Sequence, residues 1–270
     1  MPQITELKFR AVFVSDIHLG SSKCQAEKAR AFLSAIQCEK LYLVGDIIDL
    51  WVSKRQGKWT QDHTNVIRTI LGKSKFGCQV YLTPGNHDSD LRRLNGLEFG
   101  NILIEHEFVH KTLDGKNYLV VHGDFFDKSV TTLKPLAIIG SWAYEGLSNV
   151  NKVANKAKLA SGKETTDFSG NAKKNLKKAI SYFTQFPDRI TTDAKNRGFE
   201  GVICGHIHRP AFEYYDCEAW YINIGDWMEN CTALVEHLDG RLELIYFSDI
   251  PEHLLTKAPV LTSSATSSIQ

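Results

Sequence analysis

The chain has 270 residues, 43% hydrophobic and 23% charged, a composition typical of a folded globular protein rather than a disordered one. Its 32 Lys and Arg nearly balance its 31 Asp and Glu, so no global positive field attracts nucleic acid, and we expect no nucleic-acid partner. No apolar run approaches the roughly 20 residues of a membrane-spanning helix. The first ten residues lack a basic segment followed by an apolar one, so we expect no secretory signal. The six scattered cysteines disfavour a disulfide scaffold or zinc finger and indicate reduced thiols in a cytoplasmic protein.

Short apolar runs rich in Val, Ile, Leu and Tyr predict a series of buried strands in the first three quarters of the chain. These runs are Ala11–Val14, Leu41–Val44, Val80–Leu82, Leu119–Val121 and Val202–Cys204. Helical patterns at Gln25–Ile36 and Thr64–Leu71 lie between some of them. Strands that alternate with helices indicate a layered α/β core.

More closely spaced strands are predicted after residue 211, where we expect an antiparallel or mixed sheet with tight turns such as Asp239–Gly240. These strands are Phe212–Tyr215, Trp220–Ile222, Thr232–Glu236 and Leu242–Tyr246. Residues 128–198 have helical patterns and interrupt the strand series, which predicts an inserted helical cap on a core of residues 1–127 and 199–255. The small polar residues of 256–270 predict a disordered tail.

Five polar clusters each follow a predicted strand, where the loops of an α/β sheet aim side chains into one crevice. The clusters are Asp16-Ile17-His18, Gly45-Asp46, Gly85-Asn86-His87-Asp88, His122-Gly123-Asp124 and Gly205-His206-Ile207-His208. Carboxylates, an amide and imidazoles together suit two divalent ions such as Mn²⁺, Fe or Zn. Glycines beside the clusters let the backbone turn sharply and keep the crevice open.

Each cluster taken alone also has a purely structural interpretation. Asp16-Ile17-His18 could be a turn, Gly45-Asp46 a helix N-cap, and Pro84-Gly85-Asn86 a common turn. The pair His206 and His208 is harder to explain in this way, because alternate residues of an extended chain point to the same side. All five clusters, in order and each at a strand end, favour one common site.

This ordered series resembles the motifs of the calcineurin-like metallophosphoesterases, and the resemblance spans roughly residues 9–250. It implies the α/β (α+β) fold of that family, a β-sandwich flanked by helices. It also implies two metal ions, with Mn²⁺ the expected one, joined by a bridging carboxylate. By this resemblance one ion is held by Asp16, His18, Asp46 and His208, and the other by Asp46, Asn86, His122 and His206.

The resemblance places His87 near the leaving group, beside two ions that lower the pKa of a shared water for attack on phosphorus. His87 then protonates the departing oxygen, or stabilises its charge as imidazolium. Asp88 is a second catalytic candidate that orients His87, and the alternative for Asp88 is a helix N-cap. Asp124 is expected to orient a metal ligand.

Three further features resemble the branch of the family that contains UDP-2,3-diacylglucosamine diphosphatase, an enzyme of lipid A biosynthesis. They are the run from Gly205 to Pro210 followed by residues 221–227, the run from Asp46 to Trp51, and the helical insertion. The resemblance implies a nucleotide-linked diphosphate substrate whose acyl chains lie beneath the cap. The aromatic cap residues Trp142, Tyr144, Phe183 and Phe186 either line such an acyl pocket or form the core of the cap.

The predicted cap is locally basic, since residues 128–200 contain 13 Lys or Arg and six Asp or Glu. This excess indicates an anionic substrate, or peripheral contact with the anionic inner face of a membrane, although a solvated helix face has the same composition. We predict Lys173 and Lys177 of the cap, together with Asp127 and Arg209, as substrate contacts.

One residue departs from this branch, because His87 stands where the diphosphatase carries Arg. The segment Phe125-Phe126-Asp127 departs from it as well. Histidine at this position is the residue of the general phosphoesterases, so a phosphodiesterase or phosphomonoesterase with a non-lipid substrate is the alternative. A metal-binding scaffold without activity is a further alternative, but the complete set of proposed ligands together with His87 favours an enzyme.

Overall fold

The computed structural model describes residues 7–51, 59–127 and 185–255. The strands in chain order are β1 (Lys8–Val14), β2 (Gln37–Val44), β3 (Gln79–Thr83), β4 (Glu98–Phe99), β5 (Ile102–Ile104), β6 (Glu107–Lys111), β7 (Asn117–Val121), β8 (Gly201–Cys204), β9 (Ala211–Tyr215), β10 (Ala219–Asn223), β11 (Thr232–Glu236) and β12 (Leu242–Tyr246). The helices are α1 (Ala26–Ala35), α2 (Gln61–Lys75), α3 (residues 185–196) and α4 (Glu252–Leu255). Short 3-10 helices cover Ser89–Leu94, Asp124–Asp127 and Phe247–Asp249.

The strands form two mixed sheets. The first sheet has the order β12-β11-β1-β2-β3-β5-β4 and the second has the order β6-β7-β8-β10-β9. In the first sheet β1, β2, β3 and β5 are parallel neighbours, and in the second sheet β7, β8 and β10 are parallel neighbours. The predicted α/β (α+β) fold, two layers of sheet flanked by helices, is confirmed.

Alternation along β1 divides the core into two layers, because successive side chains of a strand point to opposite faces of the sheet. Phe13 is fully buried and belongs to the same apolar cluster as Ile203 of the second sheet. Val12 is equally buried but belongs to the cluster that contains Phe32 of α1 and Val66 of α2. One face of the first sheet therefore packs on the second sheet, and its other face packs on the helices.

Helix α2 begins at a capping box, in which the side chain of Thr60 accepts from the backbone of His63 and the side chain of His63 accepts from Thr60. This arrangement satisfies two backbone N–H groups that the first turn of a helix leaves without partners. Val66 and Ile70 lie one turn apart and are both buried. The helix is longer at both ends than the predicted segment Thr64–Leu71, because its terminal turns are polar and lack the apolar periodicity of the middle.

The strands and helices predicted within the described residues are present, but three of the strands found there were not predicted. Strands β4 and β5 have two and three residues, too few for a periodic pattern, and β6 alternates around polar residues. The late strands also divide between the sheets, since β9 pairs with β10 in the second and β11 pairs with β12 in the first. Pairing within each hairpin is local, whereas the choice of sheet depends on distant partners.

The chain divides into two compact units, Met1–Asp124 with Ile190–Gln270, and Phe125–Arg189. The helical cap at residues 128–198 stays a prediction, because residues 128–184 lie outside the described residues, as do the tail at 256–270 and the cap residues Trp142, Tyr144 and Phe183. Within the described ranges, no helix combines the length and the apolar character needed to cross a bilayer.

A buried carboxylate joins the two sheets. Glu236 of β11 is fully buried, and its oxygens accept hydrogen bonds from Arg10 at 2.7 Å and from the Leu113 amide at 2.8 Å. It also lies 3.0 Å from Nε2 of His110 on β6, whose Nδ1 is 3.2 Å from the hydroxyl of Tyr42. Burial raises the pKa of Glu236, but the hydrogen bonds from His110 and Leu113 and the charge of Arg10 outweigh it and lower the pKa.

Glu236→Gln should lower the free energy of unfolding by about 1–3 kcal/mol near neutral pH, since the buried donors lose an ionised acceptor. The folded pKa is depressed, so this stabilisation is present above the ordinary value of 4.5 and is lost as the pH falls through the folded pKa. Urea unfolding of both proteins across this range should show the two stabilities converging in acid.

The matched control is Glu243→Gln, which removes a carboxylate that is 36% exposed and paired with Arg241 on the surface. Such exposed pairs contribute about 1 kcal/mol or less. A stability difference between wild type and Glu236→Gln that stays constant with pH would contradict the assigned role of the Glu236 charge.

Candidate metal centre

Six of the seven predicted metal ligands come together where strands of both sheets end. β1, β2 and β3 of the first sheet and β7 and β8 of the second all end beside one crevice, as parallel neighbours do. Three groups of side chains among the described residues place potential ligand atoms within 4.8 Å of one another, one of them His18 with Asp49 and His87. The other two consist of predicted ligands alone. They are Asp16 with His18 and His208, and Asp46 with His122 and His206.

The first group is centred on Asp16, which is fully buried. Its Oδ1 lies 3.1 Å from Nε2 of His208 and 3.7 Å from Nε2 of His18. Its Oδ2 accepts a hydrogen bond of 2.9 Å from the backbone of His206. One oxygen of the Asp16 carboxylate thus faces the imidazoles of His18 and His208. The other oxygen links the end of β1 to the end of β8.

The second group is centred on Asp46, which is also buried. Its Oδ2 lies 3.4 Å from Nε2 of His122 and 3.9 Å from Nε2 of His18 in the first group. This one oxygen therefore lies between the two groups. Nδ1 of His122 donates to the carbonyl of Val44 at 3.1 Å, which leaves Nε2 to face Asp46.

Several polar atoms of the site are buried without a hydrogen-bond partner among the described residues. They are Oδ1 of Asp16, Nε2 of His18, Oδ1 of Asn86, Nδ1 of His87 and Nε2 of His122. Leaving such an atom unsatisfied costs about 1–3 kcal/mol, so their accumulation at one place needs a ligand to explain it. Carboxylate, amide and imidazole donors together fit the divalent ions that the sequence predicts.

The carboxylates and imidazoles of the site shift one another's pKa in opposite directions. Burial lowers the pKa of His122, but the charge of Asp46 outweighs it and raises the pKa to about 10. Burial likewise opposes the effect of Asp16 and Asp49 on His18, whose pKa is also raised to about 10. A metal ion bound here must displace protons from these imidazoles, because only neutral imidazole coordinates.

The backbone of the site is strained. Five of the predicted ligands have a backbone in the left-handed region, which residues other than glycine rarely adopt. They are Asp16, His18, Asp46, His206 and His208, with φ between 51° and 70°. Such residues cost of order 1–3 kcal/mol each and persist where the surrounding structure determines them, as they do at functional sites.

Two glycines allow the close approach of the strand ends. A Cβ at Gly45, whose φ is 76°, would overlap the ring of His122. A Cβ at Gly85 would overlap the carboxylate of Asp46. The sequence predicted that glycines keep the crevice open, and at both positions a side chain would displace a proposed ligand.

Asp49 is a site residue that the sequence did not single out. Its Oδ2 lies 3.2 Å from Nδ1 of His87 and 3.4 Å from Nδ1 of His18, and the residue is 3% exposed. His87 itself is 27% exposed and packs against the ring of Trp51 at 4.5 Å. The available signal was a second carboxylate directly after β2, in the run from Asp46 to Trp51.

The described contacts of Asp88 differ from those expected from the sequence. Its buried carboxylate accepts hydrogen bonds from the backbone amides of Gly85 at 2.6 Å and Ile47 at 2.8 Å, with longer ones from Asp46 and Ile48. It makes no capping bond to the 3-10 helix that follows, and its described hydrogen bonds do not include one to His87. Asp88 therefore holds the loops after β2 and β3 together, and Asp49 contacts His87 instead.

Asp124 also binds elsewhere than predicted. Nη2 of Arg92 contacts both carboxylate oxygens of Asp124, at 2.9 and 2.7 Å, and the carbonyl of Pro84 at 3.4 Å. These contacts link the loop after β7 to the loop after β3. Of the predicted substrate contacts, Arg209 is exposed beside His208, whereas Lys173, Lys177 and the side chain of Asp127 lie outside the described part of the chain.

A second residue missed by the sequence is Asp226. Its Oδ1 accepts from the amides of Met228 and Glu229 at 2.7 and 2.6 Å, and its Oδ2 lies 3.9 Å from Nδ1 of His208. Asn230 in turn donates to the carbonyl of His208 at 2.9 Å. This network supports the loop that carries His208.

Known proteins resemble the chain over most of its length. The sequence profile of the Calcineurin-like phosphoesterase family matches residues 9–210. A UDP-2,3-diacylglucosamine hydrolase of Shewanella piezotolerans is 24% identical over 246 residues, which cover 87% of this chain and 97% of that protein. One from Pseudomonas aeruginosa strain PAO1 is 26% identical over 248 residues, covering 85% and 96%. The solved structure of an archaeal phosphodiesterase is 13% identical with a TM-score of 0.40, covering 87% of this chain and 98% of that one.

The position of Asp46 between the two groups generates a prediction about metal content. Asp46→Asn should reduce bound Mn²⁺ from about two ions to fewer than one per chain, because both ions lose a carboxylate. Asp16→Asn should leave about one ion, because only the first group loses its carboxylate. Elemental analysis after dialysis against Mn²⁺ measures both. Equal metal content in the two variants, or full activity after exhaustive EDTA treatment, would contradict this assignment.

Proposed function

The chain belongs to the calcineurin-like phosphoesterase family and is a phosphoester hydrolase, and on this premise we propose that it acts through two divalent metal ions, most readily Mn²⁺, with Fe or Zn as alternatives. The observation that carries this proposal is the single oxygen of Asp46 within 4 Å of imidazole nitrogens from both ligand groups. The proposed ligands of one ion are Asp16, His18, Asp46 and His208, and those of the other are Asp46, Asn86, His122 and His206.

When bound, the ions supply Lewis acidity and an activated water for attack on phosphorus. His87 contributes the proton that the leaving oxygen needs. His87 is more exposed than His18, His122 or His208. Because Asp49 contacts its Nδ1, Nε2 is the ring nitrogen that can face a substrate. The contact with Asp49 orients the ring of His87, and Nε2 then faces the leaving oxygen to which it gives a proton.

We further propose that the substrate is a lipid-linked nucleotide diphosphate, hydrolysed at the cytoplasmic face of a membrane. Support comes from relatives named UDP-2,3-diacylglucosamine hydrolase, which match over nearly their whole length. The exposed Arg209 beside His208 supplies a charge for phosphate, and the half-exposed ring of Trp51 supplies an aromatic surface next to His87.

A general phosphodiesterase or phosphomonoesterase acting on a non-lipid substrate is the second candidate. One observation favours it, the contact between His87 and Asp49, since a histidine supported by a carboxylate serves as a proton donor for basic leaving groups. The two candidates share the same metal chemistry and differ in what they bind beyond the phosphoryl group.

Acyl-chain dependence separates these candidates. If the substrate is lipid-linked, each CH₂ removed from its acyl chains should raise KM about fourfold, which corresponds to ~0.8 kcal/mol per buried CH₂. The measurement is kcat/KM for a series of UDP-diacylglucosamine analogues below their micelle-forming concentrations, with bis(p-nitrophenyl) phosphate as the small reference substrate. A kcat/KM that does not change with chain length would exclude the lipid substrate and leave the general phosphoesterase.

The role of His87 is testable through the leaving group. His87→Ala should reduce kcat roughly 10²–10⁴-fold on an alkyl phosphodiester, whose leaving oxygen is basic, and much less on a p-nitrophenyl ester. Bound Mn²⁺ should be unchanged. His253→Ala, which alters an exposed histidine on α4, is the matched control and should act like wild type on both esters. Equal losses on the two esters would show that His87 positions the substrate or stabilises charge without donating a proton.

A further inference from the structure

Two cysteine thiols lie in contact at the end of the first sheet that is remote from the metal centre. Cys38 is the second residue of β2, and Cys78 directly precedes β3, the parallel neighbour of β2. Their sulfur atoms are 3.6 Å apart, and neither residue is in a disulfide. To form a covalent bond the two sulfurs must approach from 3.6 Å to ~2.05 Å.

A lysine next to the pair favours a thiolate. Lys73 of α2 is held by a 2.7 Å hydrogen bond from its Nζ to the carbonyl of Ile36. A hydrogen bond from Cys38 lowers the pKa of Cys78 against the effect of burial, and the charge of Lys73 lowers it further. The hydrogen bond and burial both raise the pKa of Cys38. Cys78 is thus the thiol that ionises more readily and acts as the nucleophile, and Cys38 is the thiol that keeps its proton.

Access to the pair is limited to small molecules. Cys78 is 7% exposed, whereas Cys38 is partly exposed and forms the open side of the contact. Burial raises the pKa of Cys24 and of Cys231, and it does the same for the fully buried Cys204. These three thiols are therefore less reactive than Cys78, whose reactivity comes from its contacts with Cys38 and Lys73.

We propose that Cys38 and Cys78 form a reversible intramolecular disulfide when the protein meets a hydroperoxide. The Cys78 thiolate attacks one peroxide oxygen, the O–O bond breaks, and the products are a sulfenic acid and, after protonation, water. The Cys38 sulfur then attacks the sulfenyl sulfur, the S–O bond breaks, and a second water leaves with the Cys38 proton. In sum, two thiols lose two electrons and two protons, and one hydrogen peroxide is reduced to two waters.

The cross-link acts on stability and leaves the phosphoesterase site unchanged. It joins two positions separated by 40 residues in sequence, so it restrains the unfolded chain. Both cysteines lie at the beginnings of β2 and β3, whereas Asp46 and Asn86 follow the ends of these strands. Oxidation should therefore raise Tm by about 5–10 °C while kcat/KM changes less than about twofold.

The experiment treats the full chain with stoichiometric hydrogen peroxide and then blocks free thiols with N-ethylmaleimide under denaturing conditions. The free-thiol count should fall from six to four, a non-reducing peptide map should show a Cys38–Cys78 cross-link, and dithiothreitol should restore all six. The rise in Tm should be absent from Cys38→Ser and Cys78→Ser and retained in the control Cys217→Ser. Lys73→Met should slow oxidation roughly three- to tenfold, because it removes the charge that favours the thiolate.

The peptide map of the wild-type protein decides the matter even if a cysteine variant fails to fold. Six alkylatable thiols after peroxide treatment would overturn the proposal. So would a cross-link between other cysteines, or oxidation of Cys78 to the sulfinic acid without any cross-link to Cys38.

Discussion

The structure depends on the electrostatic balance of two carboxylates buried within one crevice. Asp16 and Asp46 repel each other as like charges, and burial deprives both of water. Three imidazoles, those of His18, His122 and His208, lie within 4 Å of one or both carboxylates and offset this cost. Divalent cations would offset it more fully, since they neutralise the carboxylates while the imidazoles release their protons. The groups whose burial is electrostatically costly are thus the same groups that suit a divalent ion.

Such a site can only be built where the backbone is held firmly on all sides. The proposed ligands follow strands of both sheets, so the spacing of the sheets sets the distance between the two groups. Glu236 fixes this spacing from inside the sandwich through its bonds to β1 and β6. Asp88 holds the loops after β2 and β3 together by accepting hydrogen bonds from the backbone amides of Ile47 and Gly85. Buried carboxylates outside the ligand set therefore stabilise the left-handed turns that carry Asp46 and its neighbours.

The sequence predicted the strands and the ligand clusters for the same reason. A buried parallel strand must be apolar, and a polar cluster directly after it is conspicuous. The sequence could not show which carboxylate contacts His87. Asp88 is its neighbour in the chain, but the turn directs Asp88 to the loop amides, and Asp49 reaches His87 from the adjacent strand end. Strands β4 to β6 were missed because they are short or exposed, and they leave no periodic pattern.

The pair formed by His87 and Asp49 also bears on the choice of substrate. Arginine, which the resembling diphosphatase branch carries at the position of His87, supplies a fixed positive charge but cannot release a proton. A diphosphate leaves as a phosphate with a pKa of about 6, so its departure needs charge neutralisation more than protonation. An alkyl ester leaves as a strongly basic alkoxide and needs the proton. In the mechanism proposed for His87, its proton therefore matters most for alkyl esters and least for diphosphates.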